Sequence, residues 1–378
     1  MRVLGTGTLF DALGDAIAYR SLEPLDGRLP GLSSLRQPLG LHANRVPRKV
    51  EPAYGFVVAE MLRSAAAFAN GSPELKGVVL IGDTEHNDGS AFVNICDALR
   101  CPGNAFICTE TPAEPALVPS ERGIARTLYS ANRWRLIGGF EADLARRGVI
   151  IGRGTVVVVD IDKTILGARG RNDRPIDTAR AEAVLRTAGT LRGEPVKRDM
   201  LLAAYNHFNQ PRFHAFTTDN QDYLAYLAIL VEAGWSSIEK IREGITRGHL
   251  GSFGDLLDAV TATVERLPNR LRRAHDDVVM AVTLGDPTPF KDFRRAEFRE
   301  TVDRMTPAGK AQDTEMLLAT RITLTAEVWR RVKLWRDRGA LVFGLSDKPD
   351  EASWPSPDLE ADGYQPLHKT RALVVGER

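Results

Sequence analysis

The decisive stretch of the chain reads VVVVDIDKT and runs from Val156 to Thr164. Its four valines form a β-branched run without polar alternation, which is typical of a strand buried on both faces of a parallel sheet. Asp160 and Asp162 follow this run two positions apart, so both carboxylates can project toward the same side as the chain leaves the sheet. The stretch therefore predicts a buried strand that ends in a pair of carboxylates.

Two carboxylates in a medium of low dielectric repel each other unless a cation or a shared proton compensates their charge. Mg²⁺ is a suitable cation, because it prefers hard oxygen ligands and no histidine accompanies Asp160 and Asp162. The alternative is that both residues are solvated acids that cap the following turn. We expect Mg²⁺ to be the cofactor.

Other short apolar runs have the same character. Val78–Ile81 is followed by GDTEHNDG, and Ala340–Leu345 is followed by SDKP. Two further runs could be strands beside these, at residues 105–108 and 372–375. Helical patterns precede several of the runs and cover residues 54–68, 130–147 and 324–338. Helix, glycine and then apolar strand is the order of a doubly wound α/β fold, so we expect a Rossmann-like, three-layer core around a parallel sheet.

The run that ends at Ile81 supplies two more acids. Asp83 follows Gly82 directly after the strand, and Asp88 lies five residues further on. A loop of this length can bring both carboxylates round one metal ion. A simple Asn-Asp-Gly turn would explain residues 87–89 but not the Gly82-Asp83 pair. Asp83, Asp88 and the two acids after the valine run are therefore the predicted metal ligands.

The middle of the chain differs from both ends. Between Thr164 and about Thr320 helical periodicity dominates, and no comparable strand run occurs. We therefore expect an α/β core formed by residues 1–164 and 321–378, with residues 165–320 inserted as an all-helical cap domain. Such an insertion would lie above the carboxyl ends of the strands, where ligands bind in open α/β sheets.

Composition excludes several classes of partner. The 378 residues carry 50 Lys and Arg against 49 Asp and Glu, so the chain lacks the excess positive charge that draws proteins onto nucleic acid or anionic lipid. No stretch approaches eighteen uninterrupted apolar residues, and three cysteines argue for a reducing compartment rather than a disulfide framework. We expect a cytoplasmic protein with a small-molecule substrate, no nucleic-acid or membrane partner, and homo-oligomers as a possibility.

Three motifs together resemble the haloacid dehalogenase (HAD) superfamily of phosphohydrolases. They are VVVVDIDKT, the apolar run that ends in GDTEHND, and LWRDRGALVFGLS at residues 334–346. The resemblance implies that Asp160 is the nucleophile that attacks phosphorus and Asp162 the general acid and base. It further implies that Ser346 holds a phosphoryl oxygen, that a lysine neutralises charge, and that Asp83 and Asp88 bind Mg²⁺.

The order of the motifs departs from the family, because the acidic metal motif here precedes the nucleophile. This order indicates a circular permutation, which folds tolerate when their original termini lie close together. The resemblance then implies that the charge-neutralising lysine lies upstream of Gly82, and Lys49 fits that position. Lys348 and Lys369 are rivals, and an unpermuted alternative would pair Lys369 with Glu377 as the acid.

These expectations converge on one function. The resemblance implies a Mg²⁺-dependent phosphatase that acts on a small phosphorylated metabolite through an aspartyl-phosphate intermediate. Thr164, which closes the first motif, and Arg169 and Arg171 just beyond it are the candidate substrate-binding residues. A phosphotransferase that uses the same intermediate, and a catalytically silent HAD-like binding protein, are the alternatives.

Overall fold

A computed structural model of the chain describes residues 1–42, 45–72, 74–307 and 313–377. Its strands are β1 (Arg2–Gly7), β2 (Ile17–Ala18), β3 (Gly77–Gly82), β4 (Gly103–Cys108), β5 (Leu117–Glu121), β6 (Arg126–Ala131), β7 (Thr155–Asp160), β8 (Leu324–Thr325), β9 (Leu341–Leu345) and β10 (Ala372–Gly376).

The longer helices are α3 (Pro52–Asn70), α4 (Ser90–Leu99), α5 (Ile137–Arg146), α6 (Arg174–Arg192), α7 (Arg198–Phe208), α9 (Gln221–Glu232), α10 (Ile238–Thr246), α11 (Phe253–Thr261), α12 (Asn269–Thr283), α13 (Lys291–Met305) and α15 (Ala326–Asp337). The short helices are α1 (Phe10–Leu13), α2 (Leu32–Leu35), α8 (His214–Thr217), α14 (Thr314–Thr320) and α16 (Pro357–Ala361).

The main sheet has seven strands in the order β2-β9-β7-β3-β4-β6-β5. Every neighbouring pair is parallel except β5 with β6 at one edge. The valine run is the central part of β7, and it lies between β9 and β3. The predicted mixed α/β fold with a mostly parallel sheet is confirmed, and this arrangement is compatible with a Rossmann-like core.

Helices cover both faces of this sheet. Alternate residues of the central strands, such as Val156 and Val158, pack in one cluster with residues of α3 and α4. On the opposite face, Phe106 of β4 has its ring centroid 5.6 Å from that of Phe140 in α5. Because both faces are buried, the strands need no polar alternation, which explains the continuous apolar runs.

The run at residues 372–375 forms a strand, but not one beside β7. β10 pairs antiparallel with β1 and parallel with β8 in a separate three-stranded sheet. The local sequence specifies an apolar strand, whereas its partners are chosen by residues at the other end of the chain. The expectation that residues 372–375 could form a strand beside the other apolar runs is therefore wrong in its partners.

The chain divides into two compact units, one formed by residues 1–177 with 301–378 and the other by residues 178–300. The helical unit is therefore shorter than the predicted insertion of residues 165–320. Asn172 explains the difference, because its side-chain amide donates to the carbonyls of Leu318 and Arg321, at 2.7 and 2.8 Å, and its Oδ1 accepts from the backbone N–H of Thr323 at 2.9 Å. These bonds tie both flanks of the predicted insertion to the α/β unit.

Residues 178–300 are helical and contain no strand. Their apolar core includes Leu224, Leu227 and Leu256, all fully buried. In the described ranges of the chain, no helix is long and apolar enough to span a membrane.

A buried histidine links three helices of this unit. Tyr226 Oη lies 2.6 Å from His275 Nδ1, and Thr261 Oγ1 lies 2.8 Å from His275 Nε2. Because the Thr261 hydroxyl donates to the Leu257 carbonyl at 2.8 Å, it accepts from Nε2–H, and Nδ1 accepts from Tyr226. The ring is therefore neutral, and burial lowers the pKa of His275 against the opposing effect of Asp276.

We expect acid to destabilise the protein through His275. Its pKa is lowered in the fold from about 6.5 in the unfolded chain, so its contribution is present above that pH and is lost as the pH falls below it. The drop in the thermal unfolding midpoint between pH 8 and pH 5 should be smaller in His275→Gln than in the natural chain. His249→Gln, at an exposed position of the same unit, is the control and should keep the full drop. Equal drops in all three proteins would contradict this assignment.

Candidate functional site

Three strand ends that are far apart in the chain meet at one edge of the main sheet. In the β3–β7 ladder Ile81 pairs with Val159, and in the β7–β9 ladder Asp160 pairs with Leu345. Because these strands are parallel, the residues that follow them leave the sheet at the same edge. Asp83, Asp160 and Ser346 are thereby gathered at the carboxyl ends of adjacent strands.

Three of the predicted carboxylates form one cluster. Asp83, Asp88 and Asp160 each offer an oxygen atom, and these atoms all lie within 4.8 Å of one another. All three side chains are buried. The predicted meeting of these acids is confirmed, whereas their roles remain predictions.

Lys49 is the cation that bridges two acids of the cluster. Its Nζ donates to Asp88 Oδ1 at 2.8 Å and to Asp160 Oδ1 at 2.6 Å, and the lysine is itself buried. Lys49 precedes α3, and its carbonyl accepts a 3.0 Å hydrogen bond from the Asn94 side chain in α4. The sequence gives no indication that Asn94 contacts Lys49, because this contact depends on the close packing of α3 against α4.

The loop after β3 folds Asp88 back onto the strand end. Asp88 Oδ2 accepts from the backbone N–H groups of Asp83, at 2.9 Å, and Thr84, at 3.0 Å. A Cβ atom added at Gly82 would lie 2.4 Å from Asp88 Cβ. The glycine of the Gly82-Asp83 pair is thus required by the close approach of the second acid.

Three predicted substrate-binding residues have other partners. The hydroxyl of Thr164 donates to Asp160 Oδ2 at 2.8 Å, so it orients the carboxylate instead of facing open space. Arg169 Nε donates to Asp83 Oδ2. Arg171 is buried between the carboxylates of Glu110 and Glu327, both at 2.9 Å, and it is therefore not available to a substrate.

Asp162 lies apart from the acidic cluster. Its Oδ2 is 3.7 Å from the Nζ of Lys348, and the structure does not place it among the grouped carboxylates, although the sequence predicted it as a metal ligand. The buried Lys348 draws the carboxylate toward β9, which accounts for the difference. Ser346, which directly follows β9, is buried, and its Oγ accepts from the backbone N–H of Lys348 at 3.0 Å.

The remaining alternatives lie outside the cluster. Lys369 is exposed, with its Nζ over the ring of Phe10 at 5.6 Å. Glu377 follows β10 and lies 3.4 Å from Arg135. Of the three candidate lysines, Lys49 alone has a hydrogen bond to Asp160 among the described contacts.

The cluster carries more negative than positive charge. Burial together with Asp88 raises the pKa of Asp83 to about 7, and Arg169 only partly offsets this. Burial also raises the pKa of Asp160 well above its usual range, in spite of Lys49. Burial acts in the same direction on Asp88, but Lys49 and the hydrogen bonds outweigh it, so the pKa of Asp88 is lowered.

This donor set fits a hard divalent cation. Three carboxylates share one lysine and one arginine, so a further positive charge is needed if all three acids are to be ionised together. Carboxylate oxygens are the ligands that Mg²⁺ prefers, and it commonly binds through one or two of them together with water and phosphate. Asp83 and Asp160, with Asp88 beside them, could hold such an ion.

Asp347 is a site residue that sequence reasoning missed. It follows Ser346, and its Oδ2 lies 3.9 Å from the Nζ of Lys49, while its Oδ1 lies 3.4 Å from Nη1 of Arg20. Its place in the SDKP stretch directly after a buried strand was the signal that could have identified it. Arg20 follows the two-residue strand β2, which was too short to be recognised.

Comparison of the chain with protein-family models, with curated proteins and with solved structures gives no match. The resemblance to HAD phosphohydrolases therefore remains a prediction from the three sequence motifs.

We expect Gly82→Ala to displace Asp88 and destabilise the protein by about 1–3 kcal/mol, the usual cost of overpacking a close-packed site. Chemical denaturation measures this loss. Gly77→Ala is the matched control in the same strand, because its added Cβ would contact only the Pro102 carbonyl at an ordinary 3.6 Å. If both variants are equally stable, the close approach of Asp88 to Gly82 is incorrect.

Proposed function

We propose that this protein is a Mg²⁺-dependent phosphatase of a small phosphorylated metabolite and acts through an aspartyl-phosphate on Asp160. The observation that carries the proposal is the fixation of the Asp160 carboxylate. Lys49 donates to one of its oxygens and Thr164 to the other, at 2.6 and 2.8 Å. A carboxylate held at both oxygens at a strand end is oriented for nucleophilic attack.

The residues divide the chemistry between them. A carboxylate oxygen of Asp160 would form a bond to phosphorus while the bond from phosphorus to the ester oxygen breaks. Asp162, near Lys348, would give its proton to the departing alcohol. It would then take a proton from water, whose oxygen attacks phosphorus and breaks the bond to Asp160. Inorganic phosphate leaves and both carboxylates return to their starting state.

The other groups balance charge. Lys49 lies beside Asp160 and would offset the negative charge of the phosphoryl oxygens, and Ser346 at the next strand end would donate to one of them. Asp83 and Asp160 would hold Mg²⁺, which when bound neutralises the phosphoryl group against the carboxylate that attacks it. Arg169 and the backbone bonds to Asp88 keep the acidic loop in place.

The proposal predicts metal-dependent release of phosphate from some members of a panel of phosphorylated metabolites. Release should stop when Mg²⁺ is chelated and should fall by about a thousandfold or more in Asp160→Asn, because the amide of asparagine cannot form the aspartyl-phosphate. Asp337→Asn, at an exposed position of α15, should keep full activity. Phosphate release by Asp160→Asn at the natural rate would contradict the proposal.

A second variant tests the metal ligands. Asp83→Asn should require a higher Mg²⁺ concentration for half-maximal activity, since it removes one charged ligand while leaving the Asp160 nucleophile in place. An unchanged Mg²⁺ requirement would exclude Asp83 from the metal site. Release that appears only with an added alcohol acceptor would identify a phosphotransferase, and ligand binding without turnover would identify a binding protein.

A further inference from the structure

One arginine near the site is poorly neutralised. Arg20 follows β2, the edge strand next to β9, and its backbone N–H donates to the carbonyl of Lys348 at 3.0 Å. β2 runs parallel to β9, so Arg20 leaves the sheet at the same edge as Asp160 and Ser346. Its backbone is thus fixed to the segment that carries the phosphate-binding serine of the proposed function.

Asp347 connects this arginine to the acidic cluster. Its two carboxylate oxygens lie 3.4 Å from Nη1 of Arg20 and 3.9 Å from Nζ of Lys49. One carboxylate group therefore separates the Arg20 guanidinium from the lysine that contacts Asp160. A molecule whose phosphoryl group lies beside Lys49 would have its remaining part within reach of Arg20.

The positive charge of Arg20 is only partly compensated by its neighbours. Its side chain is only 12% exposed, yet the carboxylate beside it belongs to Asp347, whose side chain is 46% exposed. Burial lowers the pKa of Arg20, and the neighbouring Arg48 adds to this effect against the opposing charge of Asp347. A guanidinium has five N–H donors, and its single hydrogen bond within the described ranges, at 3.4 Å, leaves most of that capacity for another anion.

Other buried arginines of this chain are neutralised more completely. Arg171 contacts two carboxylates at 2.9 Å, and Arg294 in the helical unit contacts Asp222 and Glu297. Both donate short hydrogen bonds to two carboxylates, as expected for arginines that stabilise a fold. In the part of the chain that the structure describes, Arg20 has one long side-chain contact to an exposed acid, which is the arrangement expected of a ligand-binding arginine.

We propose that Arg20 binds a second anionic group of the substrate, which makes the substrate class phosphorylated acids or bisphosphates. The inference rests on the proposed function, because it takes the phosphoryl group to lie beside Lys49 and Asp160. Carboxylate and phosphate present the same oxygen chemistry to a guanidinium fork, so either group can occupy this subsite.

Two matched pairs of compounds test the inference. Glycerol 3-phosphate and 3-phosphoglycerate differ by a carboxylate, and fructose 6-phosphate and fructose 1,6-bisphosphate differ by a second phosphate. In at least one pair we expect the doubly anionic member to have a kcat/KM about tenfold to a hundredfold higher, mainly through a lower KM. Hydrogen bonds to a charged group typically strengthen binding by about this factor. The pair that shows the preference identifies the second anion.

Variants of Arg20 show whether this residue causes the preference for the doubly anionic compound. Arg20→Gln should bring the ratio within the pair close to one, and Arg20→Lys should keep part of it, since lysine keeps the charge but not the fork. Arg153→Gln, an equal charge change at an exposed position before β7, should keep the natural ratio. Circular dichroism and the unfolding midpoint establish that each variant is folded.

Calorimetric titration of the same compounds separates this inference from the proposed function. If no compound is hydrolysed, the proposed phosphatase activity fails, but the ratio of binding affinities within each pair still tests Arg20. A binding preference for the doubly anionic members that Arg20→Gln abolishes supports the subsite. Equal or absent binding of both members of both pairs, or a preference that Arg20→Gln leaves unchanged, would overturn it.

Discussion

The burial of three carboxylates around one ammonium group is the constraint on which the rest of this site depends. Among the residues that the structure describes, Lys49 and Arg169 are the cations in contact with Asp83, Asp88 and Asp160, and they cannot compensate three full negative charges away from water. The pKa values of Asp83 and Asp160 are raised for this reason. A bound divalent cation would supply the missing positive charge. That charge would in turn attract the phosphoryl group of a substrate.

The parallel sheet makes this concentration of charge possible. β3, β7 and β9 are adjacent in space but distant in the chain, and each delivers one polar segment to the same edge. The buried strands fix those segments by their ladders, and Gly82 allows Asp88 to fold back over its own strand end. The site is therefore built on paired, buried strands of the α/β unit, as a preorganised electrostatic site requires.

Much of this arrangement could be predicted from the sequence, because apolar runs that end in acids specify both a buried strand and its edge. That pattern predicts that Asp83, Asp88 and Asp160 lie together, whereas the expectation for Lys49 rests on the resemblance to HAD phosphohydrolases. What the sequence could not specify was the choice among alternative ion partners. Arg171 and Asp162 lie next to the motif in sequence, but Glu110 and Lys348 reach them from other strand ends. The local sequence could equally not predict which strands pair with β10 or where the helical unit begins and ends, because distant residues determine both.

The central claim is that the three carboxylates share one divalent cation, and a crystal structure of the protein with Mn²⁺ tests it most directly, because Mn²⁺ takes similar oxygen ligands and its anomalous scattering locates it. The account predicts a single strong anomalous peak at coordination distance from the carboxylates of Asp83 and Asp160, with Asp88 beside it. Saturating Mn²⁺ with no peak at this cluster, or a peak held only by other residues, would contradict the claim.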